Sequence, residues 1–216
     1  MGADLRIGVI NYGAGNIGNV LRALQRLHLP YTVHTTPDEL ERASQTLLLL
    51  PGVGAFRPAM ARLQEVGWHT FLEDWAHKSR PLLGICIGMQ LLCTGSEEDG
   101  VTAGLGLLEG KVERLTGISK IPHMGWNTVE WKQPISPEQG AESFYFVHSY
   151  AVRSSPDCAA ETQVDDLVFC SALRSGNVAG FQFHPERSGL EGVAFLGSAI
   201  RRFHDVYCTA TTQEGA

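Results

Sequence analysis

Apolar residues in the first half of the chain form short uninterrupted runs that alternate with segments of helical spacing. The predicted strands are residues 5–10, 31–34, 46–50 and 81–85. Residues 17–27 place apolar side chains at a helical period, and residues 56–77 predict a mostly helical segment with a break near Gly67. This alternation predicts a parallel sheet with helices on both faces, which binds ligands at the carboxyl ends of its strands.

The second half of the chain has a different pattern, of short strand candidates separated by glycine, proline and asparagine. The candidates are residues 110–115, 128–131, 143–147, 167–173 and 178–183. We expect them to extend the same sheet in antiparallel fashion. Residues 190–207 predict a closing amphipathic helix. No linker or repeat divides the chain, so we expect one domain over residues 1–208 and a frayed tail over residues 209–216.

Composition and charge narrow the class of protein further. The chain of 216 residues is 44% hydrophobic with a formal net charge of −6, so it can bury a core and has no basic cluster of the kind that binds nucleic acid. The longest aliphatic run, residues 47–50, is too short to span a membrane, and the N-terminus lacks a targeting signal. Five cysteines without a CxxC pair predict neither a disulfide framework nor a zinc site, and favour the cytoplasm.

One segment has the pattern of a nucleophile. The apolar run at residues 81–85 leads into the sequence GICIG, which places Cys86 between two glycines, and a helix candidate follows over residues 87–93. This arrangement is typical of a nucleophile elbow, where the helix N-terminus favours a thiolate. A buried structural cysteine is the alternative, but a core strand gains nothing from the flanking glycines. The other four cysteines lack such a setting and are interpreted as structural.

A thiolate nucleophile needs a base and donors to the developing oxyanion. His184 and Glu186 stand two residues apart after the strand candidate at residues 178–183, so both can project from one side of an extended segment. We expect His184 to accept and return the proton while Glu186 orients the imidazole, although a turn with a solvated glutamate would fit the sequence alone. The Ile87 amide would be one oxyanion donor, and the glycine-rich loop at residues 51–54 would supply a second.

Together these motifs resemble those of the class I, triad-type glutamine amidotransferases, which hydrolyse glutamine through a cysteine thioester. The resemblance rests on GICIGMQ, FQFHPE and PGVGAF, with further similarity in NYGAGN, IPHMGWN and YFVHSY, and it runs from the first strand to the last helix. It implies a three-layer α/β/α fold with a mixed, mainly parallel central sheet. It also implies no cofactor, and a partner: a cyclase subunit built as a (β/α)8 barrel, which uses the ammonia in histidine biosynthesis.

The resemblance also implies roles for individual residues. The implied catalytic residues are Cys86, His184 and Glu186, and the implied oxyanion donors are Val53 and Ile87. The implied glutamine-binding residues are Gly54, Gln90, Glu98, Ser149 and Tyr150. The implied partner interface contains Met124, Trp126, Asn127 and Tyr145. The Val53 peptide would have to turn before its amide can donate, which would leave the free subunit a poor glutaminase.

Two other functions remain open at this point. The first is a thiol hydrolase, or a glutaminase that feeds a different synthase, such as those for anthranilate or pyridoxal phosphate, although HMGWN argues against it. The second is a nucleotide-binding protein, because residues 13–18 satisfy G-x-G-x-x-G. Asp38 follows at a suitable distance, but it stands at a predicted helix start rather than at the tip of a strand. His123 and His148 have no metal-ligand spacing, so we expect structural histidines and no metal.

Overall fold

The computed structural model describes residues 4–13, 17–41, 43–133, 135 and 143–210. In chain order its strands are β1 (Ile7–Ile10), β2 (Tyr31–His34), β3 (Leu47–Gly52), β4 (Leu82–Cys86), β5 (Gly95–Ser96), β6 (Thr102–Ala103), β7 (Lys111–Arg114), β8 (His123–Thr128), β9 (Glu130–Trp131), β10 (Ser143–His148), β11 (Tyr150–Val152), β12 (Cys158–Val164), β13 (Leu167–Ser175) and β14 (Val178–Phe181). Its helices are α1 (Gly18–Arg26), α2 (Pro37–Glu41), α3 (Phe56–Glu65), α4 (Trp68–His77), α5 (Ile87–Leu92) and α6 (Gly189–Ala210), with a 3-10 turn at Pro185–Arg187.

Eight strands form the central sheet, in the order β2-β1-β3-β4-β14-β13-β12-β9. The first five are parallel to one another, and the last three add on in antiparallel fashion. Strands β1, β3, β4 and β14 are buried along their whole length. Such complete burial is expected for parallel strands that are covered on both faces.

Helices cover both faces of this sheet and make the fold three-layered. The connection from β1 to β2 runs toward one edge of the sheet, whereas the connection from β3 to β4 runs toward the other. Because parallel crossovers are right-handed, α1 lies on one face and α3 and α4 lie on the opposite face. Leu27, at the end of α1, packs against Gly197 of α6, and α5 packs against α3. The predicted fold class is confirmed.

The sheet assignments in the second half correct the prediction. Strands β9, β13 and β14 do extend the central sheet, but β10 pairs with β8 in a two-stranded sheet. Strand β7 lies in a separate four-stranded sheet with β11, β5 and β6. The chain changes its pairing partner at Ser149, from β8 along β10 to β7 along β11. The Ser149 carbonyl accepts a hydrogen bond from the amide of Leu115, just after β7. An alternating sequence pattern does not reveal such a change. The prediction missed strands β5, β6, β11 and β12, and all of β8 except Thr128.

Several predicted boundaries match the structure. Gly67, with φ 87°, separates α3 from α4, and Asp38 lies in the first turn of α2. Helix α6 includes the first two residues of the predicted tail, and residues 211–216 lie outside the described residues. Residues 14–16 of the glycine-rich loop also lie outside them. No helix in the described ranges is long and apolar enough to cross a membrane.

Candidate active site

Strand β4 runs directly into helix α5, and Cys86 occupies the turn between them. Cys86 has φ 54° and ψ −114°, a backbone conformation that a residue other than glycine rarely adopts. A Cβ on Gly84 would lie 2.6 Å from the Met89 nitrogen, and one on Gly88 would lie 1.7 Å from the Leu50 carbonyl oxygen. Both positions therefore need glycine. The predicted strand, tight turn and helix are present, with the thiol at the helix N-terminus.

His184 and Glu186 follow β14 and form a buried pair. The Nδ1 of His184 lies 2.8 Å from the Oε1 of Glu186, and the two side chains are 2% and 5% exposed. The His184 amide donates to the Tyr145 carbonyl at 2.9 Å, and the His184 carbonyl accepts from the Ser188 hydroxyl at 2.6 Å. The imidazole is thus fixed by its backbone on both sides and by Glu186 at Nδ1.

The charge of His184 depends on two neighbours. Burial by itself would lower the pKa of His184. The Cys86 sulfur, and to a lesser extent the Glu186 carboxylate, raise this pKa to about 10. A buried charge is tolerated only when it is paired, and here the imidazolium is paired with the Glu186 carboxylate. The site therefore favours a protonated His184 at neutral pH.

These groups line one cavity of about 600 Å³ at the carboxyl ends of β3 and β4. Between β1 and β3 the connections of the central sheet change direction, toward β2 on one side and toward β4 on the other. Open α/β sheets bind ligands at such a switch point. All ten residues predicted as catalytic, oxyanion-binding or glutamine-binding line the cavity: Cys86, His184, Glu186, Val53, Ile87, Gly54, Gln90, Glu98, Ser149 and Tyr150. Five lining residues were not predicted as part of the site: Asn19, Pro122, Val147, His148 and Arg187.

Gln90 and Glu98 contribute polar atoms to this cavity. The Gln90 Nε2 donates to the Tyr150 carbonyl at 3.0 Å and to the Gln182 side-chain oxygen at 2.8 Å. The Gln90 Oε1 has no hydrogen-bond partner among the described residues, so a buried acceptor is available to a ligand. One Glu98 oxygen accepts from the Phe56 amide at 2.7 Å and thereby caps α3.

Val53 and Ile87 place two backbone amides beside Cys86. Ile87 is the first residue of α5, so its N–H has no partner within the helix. Val53 follows β3, whose last residue, Gly52, is paired in register with Cys86. The next residue, Gly54, has φ 106°, a conformation that glycine adopts without the strain that a side chain would add.

An exposed apolar surface adjoins the cavity. Met124 and Trp126 lie on one face of β8 and are 55% and 58% exposed. Their partners in register on β10 are Val147 and Tyr145, and the Arg187 guanidinium lies 4.4 Å from the centre of the Tyr145 ring. We call Met124, Trp126, Tyr145 and Val147 the β8–β10 face. Because Val147 and Arg187 also line the cavity, this face and the cavity are continuous.

Asn127 is separate from the β8–β10 face. Its side-chain nitrogen donates to the Gln163 carbonyl at 3.1 Å and lies 3.4 Å from the His123 Nε2, on the other side of β8. The structure therefore does not bring Asn127 together with the other three residues predicted for the interface.

Two histidines that are far apart in the sequence are paired in space. The Nδ1 of His123 lies 3.0 Å from the Nε2 of His148, because these residues face each other in the register of β8 and β10. Burial and the neighbouring His123 lower the pKa of His148 to about 3. Within the ranges that the structure describes, no three histidine, cysteine or acidic side chains come together to hold a metal ion. The prediction considered each histidine separately, because the pairing of β8 with β10 cannot be deduced from the sequence.

The other described cysteines differ from Cys86 in their setting. Cys93, just after α5, and Cys158 and Cys170, in β12 and β13, are buried free thiols. Burial raises the pKa of Cys93 to about 12, so this thiol is protonated and unreactive at neutral pH.

Comparison with known proteins agrees with this geometry. Residues 8–197 match the family model described as glutamine amidotransferase class-I, and the chain belongs to this family. Imidazole glycerol phosphate synthase subunit HisH of Bacillus licheniformis is 47% identical over 199 residues, which cover 88% of this chain and 93% of the relative. The HisH subunit of Shouchella clausii is 43% identical, over 88% of this chain and 95% of the relative. The HisH subunit of Exiguobacterium sibiricum is 41% identical, over 96% of this chain and 98% of the relative. Within the family, the chain is a member of the HisH group.

Solved structures agree with the fold. A protein described as PurLQS from Thermotoga maritima superposes with a TM-score of 0.69 at 19% identity, over 94% of this chain and 99% of the other. A crystal structure described as a glutamine amidotransferase gives a TM-score of 0.68 at 22% identity, over 89% of this chain and 98% of the other. At such identities the likeness establishes the fold alone.

Replacing Cys86 with alanine is expected to lower the pKa of His184 from about 10 toward 6.5, its ordinary value. Burial, which lowers this pKa, remains in the variant, whereas the sulfur that raises it is gone. NMR titration of labelled histidine rings measures the change. Because the folded-state pKa lies above the ordinary value, protonation of His184 stabilises the wild-type fold most below about pH 6.5, and this contribution is lost as pH rises through about 10. A wild-type midpoint near 6.5 would contradict the proximity of sulfur and imidazole.

Proposed function

We propose that this chain is the glutaminase subunit of an imidazole glycerol phosphate synthase and hydrolyses glutamine to glutamate and ammonia. The main support is the presence of Cys86, His184 and Glu186 in one cavity, with the cysteine on a strained elbow. The HisH relatives, which this chain matches over most of its length, support the particular synthase. The family match over residues 8–197 supports one domain over residues 1–208.

In the first half of the reaction, the Cys86 thiolate attacks the side-chain carbonyl carbon of glutamine. A carbon–sulfur bond forms, and the amides of Ile87 and Val53 bind the oxyanion once the Val53 peptide has turned. The His184 imidazolium transfers its Nε2 proton to the leaving nitrogen, the carbon–nitrogen bond breaks, and ammonia departs. The pKa of His184, raised to about 10, keeps this proton available at neutral pH.

In the second half, water replaces ammonia at the acyl carbon. Neutral His184 takes a proton from this water, the oxygen attacks the thioester, and the carbon–sulfur bond breaks to release glutamate and the thiolate. Glu186 accepts a hydrogen bond from Nδ1 throughout, which directs Nε2 at the reacting atoms and stabilises the imidazolium. No cofactor takes part in either half.

The lining of the cavity suits a zwitterionic amino acid. We assign Glu98 to the substrate ammonium, as a carboxylate that remains accessible while it caps α3. The buried Gln90 Oε1 is suited to accept a hydrogen bond from the substrate. Gly54, Ser149 and Tyr150 complete the glutamine site.

The β8–β10 face is proposed as the contact with a cyclase subunit, a (β/α)8 barrel. Exposed methionine and tryptophan side chains are typical of interface centres, and the continuity of this face with the cavity would let ammonia leave without crossing water. Asn127, behind this face, would support β8 rather than contact the cyclase directly. The cyclase would use the ammonia to make imidazole glycerol phosphate and aminoimidazole carboxamide ribonucleotide. Free thiols among the described cysteines support a cytoplasmic location.

The Cys86→Ala variant, assembled with the cyclase, is expected to lose glutamine-dependent synthesis and to retain synthesis from added ammonium salts. The thiol is needed only to release ammonia, so product formation from the two nitrogen sources separates the two steps. Cys93→Ala is the matched control, because it removes a buried thiol from the same helix region and should keep both activities. Equal loss of both activities in Cys86→Ala would mean that Cys86 has a structural role and that the mechanism is wrong.

The free chain is expected to hydrolyse glutamine slowly and the cyclase to accelerate it. Trp126→Ala should raise the cyclase concentration for half-maximal activation about 30-fold, as for a central interface residue. Glutaminase rates measured across a cyclase titration give this value. Val33→Ala, on the exposed strand at the opposite edge of the central sheet, should not change it. Full turnover without the cyclase, or an unchanged midpoint in Trp126→Ala, would contradict the proposed interface and activation.

A further inference from the structure

Gln182, between β14 and His184, has its side-chain amide against the reactive sulfur. Its Nε2 lies 3.8 Å from the Cys86 Sγ, and the residue is completely buried. We propose that Gln182 is a positioning residue for this reaction: its amide N–H donates to the sulfur and holds the thiolate in place for attack. The inference rests on the proposed function, because Gln182 has this role only if Cys86 is the nucleophile.

The neighbours of Gln182 determine which end of its amide faces the sulfur. The Gln90 Nε2 lies 3.0 Å from the Tyr150 carbonyl, which can only accept a hydrogen bond, and 2.8 Å from the Gln182 Oε1. The side-chain nitrogen of Gln90 donates to both, so Gln182 must present its oxygen to Gln90. The nitrogen of Gln182 is then directed at Cys86.

The same hydrogen-bond chain continues away from the site and fixes the Tyr150 carbonyl. The His148 Nδ1 donates to this carbonyl at 2.9 Å, and the His148 Nε2 accepts from the His123 Nδ1 at 3.0 Å. Burial and His123 lower the pKa of His148 to about 3, so both of its hydrogen bonds keep the same direction at neutral pH. The orientation of Gln182 is thus supported by three other side chains, those of Gln90, His148 and His123, and by the Tyr150 carbonyl.

The position of Gln182 in the chain also indicates a specific role. Phe181 and Phe183 on either side are completely buried, and an amide buried among such residues costs free energy unless it is paired. The Gln182 backbone amide donates to the Ser171 carbonyl at 2.9 Å, which prevents the strand from shifting. A hydrogen bond to a charged acceptor is stronger than one to a neutral acceptor, so this donor favours the thiolate over the thiol.

Gln182→Met tests the inference, because methionine has a similar length but no hydrogen-bond donor. In the complex with the cyclase, kcat for glutamine should fall about 10- to 100-fold, as for the loss of a hydrogen bond to a charged group, while KM changes less than about threefold. The rate of Cys86 alkylation by iodoacetamide, followed by peptide mass spectrometry across pH, should reach half its plateau at a higher pH than in the wild type, because the donor that favours the thiolate is gone. The plateau rate itself should be retained, since the thiolate remains accessible.

Gln45→Met is the matched control. It removes a buried amide whose Nε2 donates to the Thr32 hydroxyl, far from Cys86, and should leave the alkylation midpoint unchanged. Gln182→Glu is a second variant that keeps an acceptor for Gln90 and turns an oxygen toward the sulfur, so its midpoint should rise further than that of Gln182→Met.

An alkylation midpoint that stays at the wild-type pH in Gln182→Met or Gln182→Glu would overturn the inference, even if turnover fell. Alkylation needs no glutamine, so this result is independent of the proposed function. Failure of the wild-type complex to hydrolyse glutamine would instead overturn the proposed function.

Discussion

Helix α5 lies so close to strand β3 that no side chain fits between them, and the position of Cys86 depends on this contact. A Cβ on Gly88 would meet the Leu50 carbonyl oxygen at 1.7 Å, so the helix can begin here only with glycine at this position. The same approach pairs Gly52 with Cys86 in register and brings the loop that contains Val53 beside the thiol. One packing contact therefore positions the nucleophile and both proposed oxyanion donors.

Buried polar groups complete the site because each has a partner that fixes its direction. The imidazole of His184 lies between the Cys86 sulfur and Glu186, and burial strengthens these interactions by excluding water. The Tyr150 carbonyl directs the amide of Gln90, and Gln90 in turn directs the amide of Gln182, whose nitrogen faces the sulfur. The reactive group is thus fixed in position before substrate binds, and in the proposed mechanism the Val53 peptide is the part of the site that has to rearrange.

The local parts of this site could be predicted from the sequence, and the long-range parts could not. The elbow at Cys86 and the closeness of His184 and Glu186 follow from short segments, because glycine at a tight turn and a separation of two residues are local features. The extended segment predicted for this pair was wrong, since Glu186 lies in the 3-10 turn Pro185–Arg187. The pairing of His123 with His148 depends on strand register, and the change of sheet at Ser149 leaves the alternating pattern intact. Gln182 could have been noticed as an amide within an apolar strand, but its contact with Cys86 spans 96 positions.

The identity of the nucleophile is tested most directly by a glutamine-analogue electrophile, with the modified residue located by mass spectrometry. If Cys86 forms the thioester, the complex with the cyclase should be labelled at Cys86 alone, and excess glutamine should slow the labelling in proportion to its occupancy of the site. Labelling of Cys93, Cys158 or Cys170 at a comparable rate, or labelling of Cys86 that glutamine does not slow, would show that the elbow is not where glutamine reacts.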